Sequence, residues 1–188
     1  LNLQEIFLNQ KTWFIKKYNI YSTVARKKKV EILQQKGHNF LWMDDSLWMW
    51  DTPEEKEDQK EIAEQAFGDV LVAGYGLGIV QRYLLKNKKV KSVLTVEKFK
   101  EVVDACKKAY GKIYGKVEIS DFLKYQPSKK FDCVIGDIWP DQALAHLNTY
   151  IKFKNKAKTL LKEKGKILGW GMDFFEFLLK TKGSSLGL

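Results

Sequence analysis

The chain has 188 residues, of which 45% are hydrophobic and 13% aromatic, enough for one domain with a real core and too apolar for a disordered segment. No apolar run approaches the roughly 20 residues a helix needs to cross a bilayer. Two cysteines and two histidines, scattered singly, give no metal-ligand pattern, and no metal is expected.

Residues 3–20 place Leu3, Ile6, Phe7, Trp13, Phe14 and Tyr18 at helical spacing. This predicts an amphipathic helix rather than a secretory leader, with a face that could pair two copies into a homo-oligomer. Arg26 to Lys29 reads as a solvated basic connection. Lys29 to Gln35, Phe40 to Met43 and Leu47 to Trp50 read as three short strands, turned at Gly37–Asn39 and Asp44–Ser46, forming a small antiparallel meander. Trp42, Met43, Trp48 and Met49 are expected to bury its face rather than build an aromatic cage. Asp51-Thr52-Pro53-Glu54-Glu55 opens a helix: Thr52 at the cap, Pro53 in the first turn, and two acids on the amino-end dipole. It should run to about Phe67 and stop at Gly68.

From residue 69 onward, strand and helix patterns alternate. Val70 to Ala73 is an apolar run typical of a strand buried on both faces. Gly74, Gly76 and Gly78 follow at alternate positions, then a helical pattern over 77–87. The glycines allow a sharp turn and close approach of a ligand. Further strands are expected at 92–96, 116–119, 132–136 and 166–170, with helices at 98–110, 141–162 and 173–180 and a helical turn at 121–125. Right-handed crossovers give an α/β sheet of order 3-2-1-4-5. The expected division is residues 1–68 (helix, meander, lead-in helix) and 69–188 (Rossmann-like nucleotide domain). Cys106 and Cys133 read as small core residues of a reduced, cytoplasmic protein.

The net charge of +10 is uneven, since residues 69–188 carry 23 basic against 12 acidic side chains. The lysines, however, group at 86–91, 107–116, 129–130 and 162–166, where helices end and strands begin. In a parallel sheet that edge is opposite the ligand-binding one. A nucleic-acid partner is therefore possible but not favoured.

The strand over 92–96 ends in Glu97. In this architecture an acid there accepts bonds from both ribose hydroxyls of an adenosine, although it could also serve only to start the next helix. A dinucleotide fingerprint needs glycine at 79, where the chain has Ile79. The run Val-Leu-Val-Ala-Gly-Tyr-Gly-Leu-Gly resembles instead the class I S-adenosylmethionine-dependent methyltransferases, in their spermidine synthase-like branch. So do Leu94-Thr95-Val96-Glu97, Ser120-Asp121-Phe122-Leu123 and Phe131 to Asp137. The likeness covers about residues 65–172. Val72, two residues before the first glycine, is apolar as in spermidine synthases, where most of the class has an acid. The carboxyl end leaves the two final strands of the class missing.

The resemblance implies that Gly74, Tyr75, Gly76 and Gly78 wrap the methionine part of S-adenosylmethionine, or of its decarboxylated form, and that Glu97 holds the ribose. It implies that Asp121 bonds the adenine amino group, with Phe122 giving a backbone N–H; Asp121 could equally be a helix cap. Asp137 would face the sulfonium and the acceptor as general base, or else cap the next helix. Trp139 could stack on adenine or acceptor, and Asp141 and Asp51 could suit a cationic acceptor. Three readings follow: a methyltransferase for a small molecule or protein, a spermidine synthase-like aminopropyltransferase, and a non-catalytic adenosyl-ligand binding protein.

Overall fold

The computed structural model describes residues 30–44 and 46–186; the helix expected over 3–20 and the basic run before residue 30 lie outside them. The meander consists of β1 (Val30–Gln35), β2 (His38–Met43) and β3 (Ser46–Trp50), paired antiparallel in that order. Its first turn is Lys36-Gly37, both at positive φ (48° and 76°), the two-residue turn whose twist matches a hairpin.

Helix α1 (Pro53–Glu64) leads into β4 (Gly68–Ala73). Thr52 stands at its amino cap without a side-chain cap bond, unlike the expectation. The helix also stops three residues earlier than the pattern suggests. Asn87, across the fold, donates from Nδ2 to the carbonyls of Ala63 (2.8 Å) and Ala66 (3.0 Å), so a tertiary contact satisfies the helix end. The chain continues through α2 (Ile79–Leu84), β5 (Val90–Glu97), α3 (Lys100–Tyr110), β6 (Lys116–Ile119), a 3₁₀ turn over Phe122–Lys124, β7 (Phe131–Gly136), α4 (Leu147–Leu160), β8 (Leu161–Gly169) and α5 (Met172–Leu186).

The five long-range strands form one parallel sheet of order β6-β5-β4-β7-β8, which is the expected 3-2-1-4-5. Strand β4 is its axis, with Val70, Leu71, Val72 and Ala73 all fully buried. Leu71 and Ala73 face Tyr150, Phe153 and Phe175 of α4 and α5. Val70 and Val72 face Ala63, Val80 and Leu84 of α1 and α2. Each such side chain contributes about 1.5–3 kcal/mol of burial, so the two-sided packing fixes the strand as the centre. Among the described residues, the strand after β7 is followed by a helix and no sixth strand.

One helix differs markedly from the periodicity. Residues 141–146 are not α-helical; a 3₁₀ turn over Leu144–His146 precedes α4. The cause is Trp139, which is 4% exposed and packs edge-on against Tyr150, Phe153 and Phe175 at 5.4–5.6 Å. Its indole Nε1 donates to the Trp170 carbonyl at 3.1 Å. Anchoring that ring pulls the chain across the end of the sheet before a helix can begin.

The lysine-rich edge carries its own acids. Lys162 donates to Asp132 (2.8 Å) and Asp69 (3.3 Å), Lys129 lies 3.3 Å from Asp69, and Asp132 also accepts the Asp69 N–H. Lysine 162 thus ties the amino ends of β4 and β7 together.

Candidate functional site

The carboxyl ends of the strands are joined by single backbone bonds beyond the last ladder pair: Gly74 N–H to Val96 O, Asp137 N–H to Ala73 O and Ser120 N–H to Glu97 O, each 2.9 Å. Beyond them lies a cavity of about 360 Å³, floored by this edge and roofed by the meander. It sits between the ends of β4 and β7, whose outgoing connections depart to opposite faces of the sheet, the place ligands take in open α/β sheets.

The glycine turn is built for close approach. Gly74 (φ 91°) has the Asp137 carbonyl 2.2 Å from where a Cβ would stand, and Gly76 (φ 51°) has Met49 Sδ at 2.3 Å. Met49 also accepts the Leu77 N–H at 3.2 Å, so β3 clasps the turn from above. From below, Cys106 Sγ donates to the Gly76 carbonyl at 3.1 Å, and Arg82 donates to Leu77 O at 3.3 Å. Burial pushes the Cys106 thiol up to about 12, which keeps it a neutral packing group. Cys133 is likewise buried and free.

Glu97, 6% exposed, opens on the cavity. Its Oε2 accepts the Tyr75 N–H (2.7 Å) and its Oε1 the Phe99 N–H (2.8 Å). Burial outweighs these bonds and holds its carboxyl above the usual range. A carboxylate has about four acceptor sites, so these backbone bonds leave it capacity for a ligand hydroxyl.

Asp121 lies on the cavity with Oδ1 accepting the Leu123 N–H at 3.0 Å and Oδ2 3.5 Å from Lys98 Nζ. It is therefore a cap of the 3₁₀ turn, and it also faces the cavity. The Phe122 ring packs into the core against Phe153, 5.4 Å between centroids. Asp137 is half-buried and opens on the cavity; burial first, and Glu97 in addition, raise its carboxyl to about 7, against the Gln59 hydrogen bond.

Not every predicted residue converges here. Gly74, Gly76, Glu97, Asp121, Phe122, Asp137 and Trp139 line the cavity. Tyr75 and Gly78 do not: the Tyr75 ring is 2% exposed, packs under Gly78, and its hydroxyl accepts the Tyr114 N–H at 2.8 Å. Only the Tyr75 backbone reaches toward the site, through Glu97. Asp51 is spent on structure, accepting Asn39 N–H at 2.6 Å and Asn39 Nδ2 at 2.9 Å, which ties β2 to the start of α1. Asp141 sits outside the cavity, 3.1 Å from the His146 ring. Trp139 is walled in by aromatic rings, while Trp48, Trp50 and Trp170 also line the cavity.

The sequence reading missed Glu55, taken there only as a first-turn acid. Glu55 is 8% exposed and lines the cavity; Gln59, one turn on, is 1% exposed. Gln59 Nε2 donates to Glu55 Oε1 at 2.9 Å and to Asp137 Oδ2 at 3.3 Å. Burial first, then the Asp137 charge, raise the Glu55 carboxyl to about 8. The available signal was the spacing of Glu55, Gln59 and Ala63 on one helix face. In a helix this polar it looked like surface. Among the described residues no group of three or more His, Cys, Asp or Glu could hold a metal ion, and no described helix is long and apolar enough to cross a membrane.

No protein-family profile and no curated protein sequence matches the chain. Solved structures do. The spermidine synthase of Thermotoga maritima is 19% identical, with a TM-score of 0.59 over 86% of this chain and 62% of that one. A spermidine synthase in complex with the transition-state analogue AdoDATO gives 19% identity and 0.59 over 86% of this chain and 61% of that one. An S-adenosylmethionine-dependent methyltransferase from Clostridium acetobutylicum ATCC 824 is 20% identical, with a TM-score of 0.44 over 63% of this chain and 50% of that one. The chain spans 50% to 62% of the length of these three structures. With its five-stranded parallel sheet and the cavity at the switch point, the chain has a Rossmann-like α/β fold similar to that of spermidine synthase.

Proposed function

We propose that the protein is an S-adenosylmethionine-dependent methyltransferase acting on a small amine. The observation that carries this reading is the placement of Glu97 and Asp137 on opposite sides of the glycine turn, both opening on one cavity. Bound S-adenosylmethionine would supply an electrophilic carbon on a cationic sulfur. Glu97 would hold the ribose, and Asp121 the adenine edge. Asp137 stands over Gly74, with its carboxyl raised to about 7, suited to take a proton from an amine at neutral pH. The remaining work is to align the reactants and exclude water, which the meander roof favours. A cavity of about 360 Å³ beneath the meander fits a small acceptor better than a protein chain.

Aminopropyl transfer from decarboxylated S-adenosylmethionine is a second reading, with one observation in its favour. Four carboxyls (Glu55, Glu97, Asp121 and Asp137) line the cavity, against one lysine, Lys98, which faces Asp121. A carboxylate-bearing ligand finds little positive charge there. Calorimetry with S-adenosylmethionine and with its decarboxylated form, followed by mass spectrometry of the products from 1,4-diaminobutane, separates the two. Binding of neither ligand would sink both.

The lysine edge has no part in this reading. Charge reversal at Lys86, Lys88 and Lys89 together is expected to leave adenosyl-ligand affinity unchanged in calorimetry and to alter salt-sensitive adsorption to nucleic acid. A large loss of ligand affinity would relocate the working face to that edge.

A further inference from the structure

Glu55 and Asp137 come from elements far apart in sequence, yet both end on the same amide nitrogen. Gln59 Nε2 has two hydrogens, and each is given to one carboxyl, at 2.9 and 3.3 Å. Among the described residues Gln59 Oε1 is buried with no hydrogen-bond partner, so the protein holds this amide by its two donors. A buried amide left half-satisfied in this way is expensive. Its orientation is dictated by the acids, and the acids are dictated by the cavity.

Two carboxyls around one small donor, Glu55 buried and Asp137 half-buried, do not readily ionise together. Among the described residues the surroundings supply no relief. On α1, Asp58 adds negative charge near Glu55; at the end of β5, Glu97 does the same for Asp137. The lysine on this cavity, Lys98, faces Asp121 instead. Among the described residues none brings positive charge to the pair, and the open approach to both acids is the cavity.

We propose that Glu55 and Asp137, joined by the Gln59 amide, form one acid pair that holds a single proton when the cavity is empty and gives it up when an ammonium group enters. The proton passes to solvent, and the two carboxylates then face one cation. Glu55 is thus a second acid of the acceptor site, and Gln59 is a positioning residue acting through both. The inference rests on the acceptor being an amine. Its proton-holding half stands without that reading.

The test has two arms. Infrared difference spectra of the free protein, titrated from pH 5 to pH 9, should show a protonated carboxyl whose upper step is lost in Glu55→Gln. Calorimetry of 1,4-diaminobutane with 5′-methylthioadenosine present, in buffers of different ionisation enthalpy at pH 7, should show proton release on binding. Glu55→Gln should weaken diamine binding at least tenfold and abolish the release, with 5′-methylthioadenosine affinity retained. Gln59→Leu keeps both acids and should shift the release to a different pH, which guards against a variant that merely fails to fold. Diamine binding to Glu55→Gln with unchanged affinity and proton release would overturn the proposal, as would a free protein with no carboxyl titrating above pH 6. If 5′-methylthioadenosine does not bind but the infrared step is present, the proposed function fails while the acid pair stands.

Discussion

Glu97→Gln is expected to raise the dissociation constant for S-adenosylmethionine at least tenfold. A hydrogen bond to a charged acceptor contributes about 1.5–3 kcal/mol, and a ribose offers two hydroxyls to this side chain. The substitution removes the charge and turns one acceptor into a donor. It also has a structural cost, because Glu97 already accepts the Tyr75 and Phe99 amides. In the glutamine variant one of these amides faces an N–H, and in Glu97→Ala both lose their acceptor. Each orphaned donor costs about 1–3 kcal/mol. Glutamine is therefore the cleaner probe. Its melting temperature should fall by a few degrees, and affinity should be measured by calorimetry well below that melt. Full affinity in a folded Glu97→Gln would leave Glu97 as a brace for the glycine turn and nothing more.

Asp137→Asn should show a different signature: turnover falls by about 10² to 10⁴, with S-adenosylmethionine affinity nearly unchanged. The asparagine keeps the size and can still accept from Gln59, but it cannot take a proton. The pH dependence of stability gives an independent check. Burial raises the Asp137 carboxyl from 3.8 to about 7 and Glu55 from 4.5 to about 8. The folded chain thus holds these protons more tightly than the unfolded chain. Below about pH 4 both states are protonated and the acids cost little; stability drains away as pH rises toward 7 to 8. Asp137→Asn should therefore melt higher than the parent at pH 8 and near it at pH 4. Joint loss of affinity and turnover would move Asp137 into the cofactor site. Normal turnover would reduce it to a feature of the strand end.

The sheet was legible because its signals are local. Val70 to Ala73, the alternate glycines and the strand-ending acids each announce themselves within a few residues, and right-handed crossover fixes their order. What failed to show in the sequence depends on tertiary partners. Asn87 ends α1 from across the fold, and the Trp139 ring delays α4 because three aromatic side chains receive it. Tyr75 lies inside the glycine motif, yet its ring turns to the core, since motif spacing specifies backbone and leaves side-chain direction open. Asp51 was a plausible acceptor ligand from its charge alone; its two bonds to Asn39 come from a tertiary contact that the sequence does not announce. Glu55 was hidden by composition. A helix with this many acids and lysines shows no apolar stripe, so its buried face, Glu55-Gln59-Ala63, had no contrast against the rest.

The clasp of Met49 on the glycine turn has a kinetic consequence. Met49 belongs to the meander and Leu77 to the turn that follows β4 of the parallel sheet, and the Leu77 amide finds its acceptor only once the meander has docked on that turn. The turn is therefore finished by docking and not by its own strand and helix. During refolding, secondary structure should form before the turn can accept an adenosyl ligand, because a contact between the meander and that turn must wait for loop closure. Trp48 and Trp50 flank Met49 and report that docking. Stopped-flow refolding followed by their fluorescence should give the same rate as the return of 5′-methylthioadenosine binding, and a binding phase well ahead of the fluorescence change would show the turn assembling by itself.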